Sequence, residues 1–163
     1  MRQLQHENLN PFVGACIGEG QTFVAYMHCA KGSLKEVLGK NDIKLDWGFR
    51  SFLISDLVRG LEYLHLSPLG NHGRLTSKSC LINGRWVLKI SDYGHWRSAE
   101  EEHCAEVLPD EAYEDLIWTA PELLRSGDMK GTKEGDIYSF GLLSTRSLIG
   151  KDPFREPISR LKN

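Results

Sequence analysis

Apolar and polar positions fall in blocks along this chain, and the blocks predict its elements. Two apolar runs, 12–17 and 22–27, flank the stretch Gly18-Glu19-Gly20-Gln21. Two such runs around a glycine-bearing turn predict a β-hairpin. Ser33 followed by Glu36 has the spacing of a capping box, so a short helix is expected to start at Ser33 and end at Gly39. The clearest helical period lies at 47–65, where Phe49, Leu53, Leu57, Leu61 and Leu64 recur every three or four residues. Ile54 and Val58 widen that stripe, which predicts a central, well-buried helix capped by Asp46. Pro68 and Gly70 then break the chain. Leu81-Ile82 and the run 86–90 flank Asn83-Gly84, the strongest short signal for a second hairpin. A last helix is expected over 136–149, with Ile137, Phe140, Leu142 and Leu143 on one side.

Two stretches depart from this pattern. Residues 100–115 hold eight acidic residues and neither Lys nor Arg, and read as a long exposed loop. Residues 151–163 carry two prolines and mixed charge, and read as a linker or a frayed terminus. There are no internal repeats.

Composition narrows the class. The 163 residues carry 20 Lys and Arg against 22 Asp and Glu, a formal charge of −2, with 40% hydrophobic and 26% charged residues. That is an ordinary globular mix of a length that fits one domain. The near-neutral charge argues against a bulk nucleic-acid binder, so no nucleic-acid partner is expected. No run approaches the roughly 18 apolar residues of a membrane helix, and the polar start lacks a secretory apolar region. The cysteines Cys16, Cys29, Cys80 and Cys104 form no C-x-x-C pair. Scattered thiols of this kind fit a reducing compartment and read as buried or idle rather than as a zinc or catalytic site.

Four short motifs then follow in order: His72-Gly73-Arg74-Leu75, Ser91-Asp92-Tyr93-Gly94, Ala120-Pro121-Glu122 and Gly135-Asp136-Ile137-Tyr138. This is the order of the protein-kinase catalytic loop, the metal-binding D-F-G turn, the A-P-E anchor and the Asp that opens the next helix. More closely, the chain resembles the kinase-homology domain of membrane receptor guanylyl cyclases. The segments that carry the resemblance include His6-Glu7-Asn8-Leu9-Asn10-Pro11, Cys29-Ala30-Lys31-Gly32-Ser33-Leu34, Leu88-Lys89-Ile90-Ser91-Asp92-Tyr93-Gly94 and Trp118-Thr119-Ala120-Pro121-Glu122. It covers about residues 1–150.

The resemblance implies a degenerate catalytic loop. A kinase needs an Asp there to accept the substrate hydroxyl proton. Alignment puts Arg74 at that place, and an arginine has no acceptor and does not deprotonate. Ser79 falls where kinases have a metal-binding Asn. His72 is expected to brace the loop through backbone hydrogen bonds. Asp92 remains as a metal ligand, or as a residue that holds its turn. No residue is therefore expected to be catalytic. By resemblance, Tyr26 sits at the gatekeeper position, Met27, His28 and Cys29 form the hinge, and Leu81 lines the pocket floor. Gly94, Pro121, Glu122 and Asp136 complete the structural motif, with Asp136 bonding catalytic-loop amides and Glu122 seeking an Arg. Trp118 is expected to pack as an anchor and Tyr93 to wedge in the core. There is no G-x-G-x-x-G and no V-A-I-K.

The resemblance thus implies a partial protein-kinase-like fold, α+β and mostly α. Residues 1–28 would be a remnant of the upper lobe, 29–150 an incomplete lower lobe and 151–163 a divergent tail. The chain would be truncated at both ends, as a fragment, an aberrant isoform or an incomplete coding segment. ATP with Mg²⁺ is the implied cofactor, held weakly by this chain alone. The implied parent is a receptor that makes cyclic GMP from GTP. Its kinase-like part would lie on the cytoplasmic side of the plasma membrane, and the chain alone in the cytoplasm. Its partners would be the cyclase and membrane-spanning parts of a homodimer. Two alternatives are a fragment of an active protein kinase and a stand-alone pseudokinase decoy.

Overall fold

A computed structural model describes residues 4–18, 21–40, 45–94, 116–127 and 130–149. The acidic stretch 100–115, Cys104 and the tail 151–163 lie outside the described residues. Strand β1 (Phe12–Gly18) pairs antiparallel with β2 (Gln21–Tyr26), which ends one residue before the expected run does. The hairpin is held to the rest at its base, where the Tyr26 ring meets Tyr93 edge to face at 5.8 Å; within the hairpin it meets Phe12 in the same way at 6.0 Å.

Ser33 caps α1 (Leu34–Gly39) as its spacing predicts. Its Oγ accepts from the Glu36 amide at 3.2 Å, and the Glu36 carboxylate accepts from the Ser33 amide at 2.7 Å. The two residues before this helix form β3 (Gly32–Ser33), too short to carry a periodic signal. It pairs antiparallel with β4 (Cys80–Ile82), which pairs with β5 (Leu88–Ile90). The second hairpin is not a two-residue Asn-Gly turn. The Asn83 side chain accepts from the amides of Arg85 and Val87, so Asn83–Val87 forms a wider loop. Trp86 leaves the expected strand and takes a φ of 65°. Phe49, edge-on at 5.1 Å, and the Lys31 ammonium, 4.8 Å over the ring, hold it there.

Helix α2 (Trp47–Leu66) starts where Asp46 accepts from the Phe49 amide at 2.7 Å. Leu53, Leu57, Leu61 and Leu64 are buried, but the helix is buried on one face only. Val58 is 45% exposed, because it lies about a third of a turn from the centre of that stripe. Trp47, Phe52 and Leu66 also face outward. Two further helices are α3 (Pro121–Ser126), closed by Gly127 at a φ of 67°, and α4 (Lys133–Ile149). Helix α4 begins before Asp136, with Thr132 Oγ1 accepting from the Gly135 amide at 3.0 Å. Its buried side is Asp136, Ser139 and Leu143, and Ile137 is 56% exposed rather than inside. The inner face is given to a carboxylate, so the apolar count misjudges which side faces the core.

The core joins these pieces. Leu9, Leu34, Leu64, Leu75, Ile82 and Ile90 are all buried in one cluster. The segment 8–10 runs beside β5: Asn10 N–H donates to Ile90 O at 2.7 Å, and Ile90 N–H donates to Asn8 O at 2.8 Å. Helix α2 packs on the same strand through Gly60, where a Cβ would stand 2.8 Å from Asn8 O and 3.0 Å from Ile90 Cδ1. Gly60→Ala is therefore expected to destabilise the chain by about 1–3 kcal/mol, although Ala is the better helix former by about 1 kcal/mol. A shift of the urea midpoint to lower concentration is the expected reading.

Candidate functional site

The loop between α2 and β4 is built around one buried carboxylate. Asp136 is 1% exposed, and its Oδ2 accepts from the His72 amide at 2.7 Å and from His65 Nε2 at 2.8 Å. Its Oδ1 accepts from the Gly73 amide at 2.8 Å. The loop can approach α4 this closely because both facing residues are glycines. Gly73 has a φ of 82° and Gly131 of 72°, and a Cβ on Gly131 would lie 2.4 Å from Gly73 Cα.

His72 turns this anchor toward the Ser91-Asp92-Tyr93-Gly94 turn. The Arg74 amide donates to His72 Nδ1 at 3.2 Å, so the proton sits on Nε2, which donates to Ser91 O at 2.8 Å. Burial lowers the His72 pKa below its ordinary 6.5. The bond to Ser91 and the charges of Asp136 and Asp92 oppose that shift, and Arg74 adds to it. His72 is thus the neutral bridge between two loops.

The polar positions of this loop and the motifs after it have defined places. The Arg74 side chain is exposed. Ser79 is buried and its hydroxyl is tied into its own turn, accepting from the Thr76 amide and donating to Thr76 O, both at 3.0 Å. Asp92 is exposed at a φ of 60°, in the left-handed region that Asp tolerates better than most residues. Gly94 follows at 73°. Tyr93 is fully buried and donates to Asn10 O at 2.7 Å. Trp118 is half-buried against the core, and its carbonyl accepts from Ser139 Oγ at 2.7 Å. Pro121 opens α3. Glu122 is exposed in the first turn of α3 and has no ion-pair partner among the described residues.

Between the hairpin and this turn lies an open cleft of about 650 Å³. Tyr26, Met27, His28, Cys29, Leu81 and Asp92, scattered over 67 positions of sequence, all line it. Asn10, Ser33, Glu36, Lys78 and Ser91 line it as well, and none of these five was expected in the pocket. An Asn set between the apolar residues Leu9 and Phe12 is the sequence signal that could have pointed to Asn10. Burial raises the Tyr26 phenol well above its ordinary range, with the Asp92 and Tyr93 charges adding to the effect. It stays a donor, and its hydroxyl reaches Tyr93 O at 3.4 Å. Burial also raises the Cys29 thiol and pushes Cys80 up to about 12, so neither is an activated nucleophile.

The cleft fits a nucleotide's base better than its phosphates. Tyr26, Met27 and Leu81 supply apolar wall, while Lys78 is the lysine that lines it. The Glu36 carboxylate is engaged by the Ser33 cap. Among the described residues no three His, Cys, Asp or Glu side chains gather as a metal cluster. Mg²⁺ is commonly held by one or two carboxylates together with substrate phosphates, and Asp92 and Glu36 are the carboxylates that line the cleft.

The sequence model described as protein tyrosine and serine/threonine kinase matches residues 1–159. Human retinal guanylyl cyclase 2 is 40% identical over 171 residues, covering 99% of this chain and 15% of that protein. The speract receptor of Strongylocentrotus purpuratus is 43% identical over 160 residues, 96% of this chain and 14% of its own length. The resact receptor of Arbacia punctulata is 42% identical over 161 residues, 96% and 16% of the two chains. The chain thus spans about a sixth or less of the relatives it matches.

Two outcomes follow from the buried anchor. Asp136→Ala leaves two backbone amides and His65 without an acceptor, and a loss of about 3–5 kcal/mol is expected in chemical denaturation. Because folding lowers the His72 pKa, the unfolded chain takes up that proton first. Its contribution to stability is whole above pH 6.5 and falls as pH drops below that value. In His72→Asn the fall in stability between neutral pH and pH 5 is expected to be shallower, read from denaturation midpoints across that range.

Proposed function

From the premise that the chain belongs to the protein tyrosine and serine/threonine kinase family, we propose that it is a catalytically inactive kinase-like regulatory segment of a receptor guanylyl cyclase. It would couple receptor state and nucleotide binding to cyclic GMP synthesis. One observation carries this reading: the loop's scaffold is fully hydrogen-bonded, while by the resemblance its catalytic positions hold other residues. Asp136, His72 and Gly73 hold the loop in place, and by the resemblance Arg74 falls where a kinase has its base. An arginine there can neither accept a proton nor be deprotonated to do so. The Ser79 hydroxyl is engaged in its own turn, so it offers little to a second metal ion.

The cleft is the nucleotide site in this reading. Tyr26, Met27, His28, Cys29 and Leu81 would hold the base, and Asp92 would share Mg²⁺ with the phosphates. Bound ATP would act as a ligand, since in this reading Arg74 occupies the position that would activate an acceptor hydroxyl. Among the described residues no helix is long and apolar enough to cross a membrane. The segment would act on the cytoplasmic side, next to the cyclase part of the same receptor and within a homodimer.

Phosphate transfer from labelled ATP tests the proposal on the full-length parent. No incorporation into the receptor or a generic acceptor protein is expected. Incorporation above background that disappears in Asp92→Asn would contradict it and would favour an active kinase.

A further inference from the structure

Asn10 lies outside every motif of the degenerate loop, yet it touches both sides of the cleft. It is fully buried, with its backbone carbonyl accepting from the Tyr93 hydroxyl at 2.7 Å. Its Nδ2 donates to Ser91 Oγ at 3.3 Å, and Ser91 Oγ lies 3.5 Å from Asp92 Oδ1. On the other side its Oδ1 accepts a weak bond from Cys29 Sγ at 3.8 Å. The segment itself cannot drift, because it is bonded to β5 on both sides of Leu9. From the opposite side, His72 holds Ser91 O, and Ser79 O accepts from the Ser91 amide at 2.8 Å.

The geometry points to Asn10 and Tyr93 as positioning residues that lock the Ser91-Asp92-Tyr93-Gly94 turn in one place and tie it to Cys29. The Tyr93 hydroxyl is the part that matters. A phenylalanine would fill the same core space without holding the segment 8–10. To swing outward, the turn must strand a buried phenol, the buried Asn10 amide and the His72 ring at once, and each stranded buried group is costly. Asp92 therefore keeps its left-handed backbone and its place in the cleft before any ligand arrives. Asp92 as a Mg²⁺ ligand rests on the function proposed above. The lock itself does not, because it is built from protein groups alone.

The chain's thiols provide the test. Cys16 is exposed, Cys29 is buried beside the lock and Cys80 is buried in β4. Labelling with a thiol reagent, resolved by peptide mass spectrometry, therefore reads surface, local opening and global unfolding separately. Two mild variants of the 163-residue chain are compared with wild type, without nucleotide. Tyr93→Phe removes one hydroxyl and none of the recorded bonds of Cys29. Ser91→Ala removes the link from Asn10 to Asp92. Each is expected to speed Cys29 labelling about tenfold, the effect of one lost buried hydrogen bond, and Cys80 by about the same factor from a slower starting rate, because that bond is also absent in the unfolded chain. An unchanged Cys29 rate in both variants would overturn the lock. Cys29 labelling no faster than Cys80 in wild type and variants alike would also overturn it, since both thiols would then report global unfolding alone. Whether ATP binds does not enter this readout, so failure of the nucleotide site and failure of the lock are told apart.

Discussion

The buried carboxylate of Asp136 organises the part of the molecule where function would reside. One charged group, almost without solvent, takes two backbone amides and a histidine ring as donors. Its burial is tolerable because three donors replace its water. Helix α4 must then turn a polar face inward, and the loop must approach through glycine. Gly73 and Gly131 meet that demand, and the exposure of Ile137 is its consequence. His72 extends the same anchor to Ser91, so the loop at 72–75 and the Asp92 turn are bonded to each other.

A second constraint meets the first from above. The segment 8–10 bonds to β5 along its backbone, packs against Gly60 of α2 and receives the Tyr93 hydroxyl. The hairpin β1–β2 touches the lower part through Tyr26, whose ring and hydroxyl both meet Tyr93. The cleft is thus framed by side chains fixed from several directions. Among the described residues Lys78 is the cation that lines it, and in the proposed reading Arg74 stands where a proton acceptor would be. In the proposed reading the scaffold of a phosphotransfer site persists around a loop without that chemistry, which is the combination expected of a module that reads a ligand.

Local chemistry was the legible part of the sequence. The Ser33–Glu36 box and the Asp46 cap form where spacing predicts, because each is a contact across three residues. The α2 stripe holds for the same reason. Tertiary demands were less legible. Nothing local marks Gly32–Ser33 as a strand, since its pairing with β4 is decided some fifty positions away. Trp86 takes a positive φ because Phe49 and Lys31 hold its ring, and Asn83-Gly84 alone suggests a tighter turn. Ile137 and Val58 count as apolar wherever they point. In the cleft, the residues with motif partners were identifiable from the resemblance. Asn10, Lys78 and Glu36 were not, because their role depends on which strand the chain lies beside.

The central claim is that the module uses ATP as a ligand and not as a phosphate donor. The direct measurement is cyclic GMP output of the full-length parent receptor with ATP and with a non-hydrolysable ATP analogue. The account predicts that both change the output alike, because binding alone is required. An effect that ATP produces and the analogue does not would contradict it.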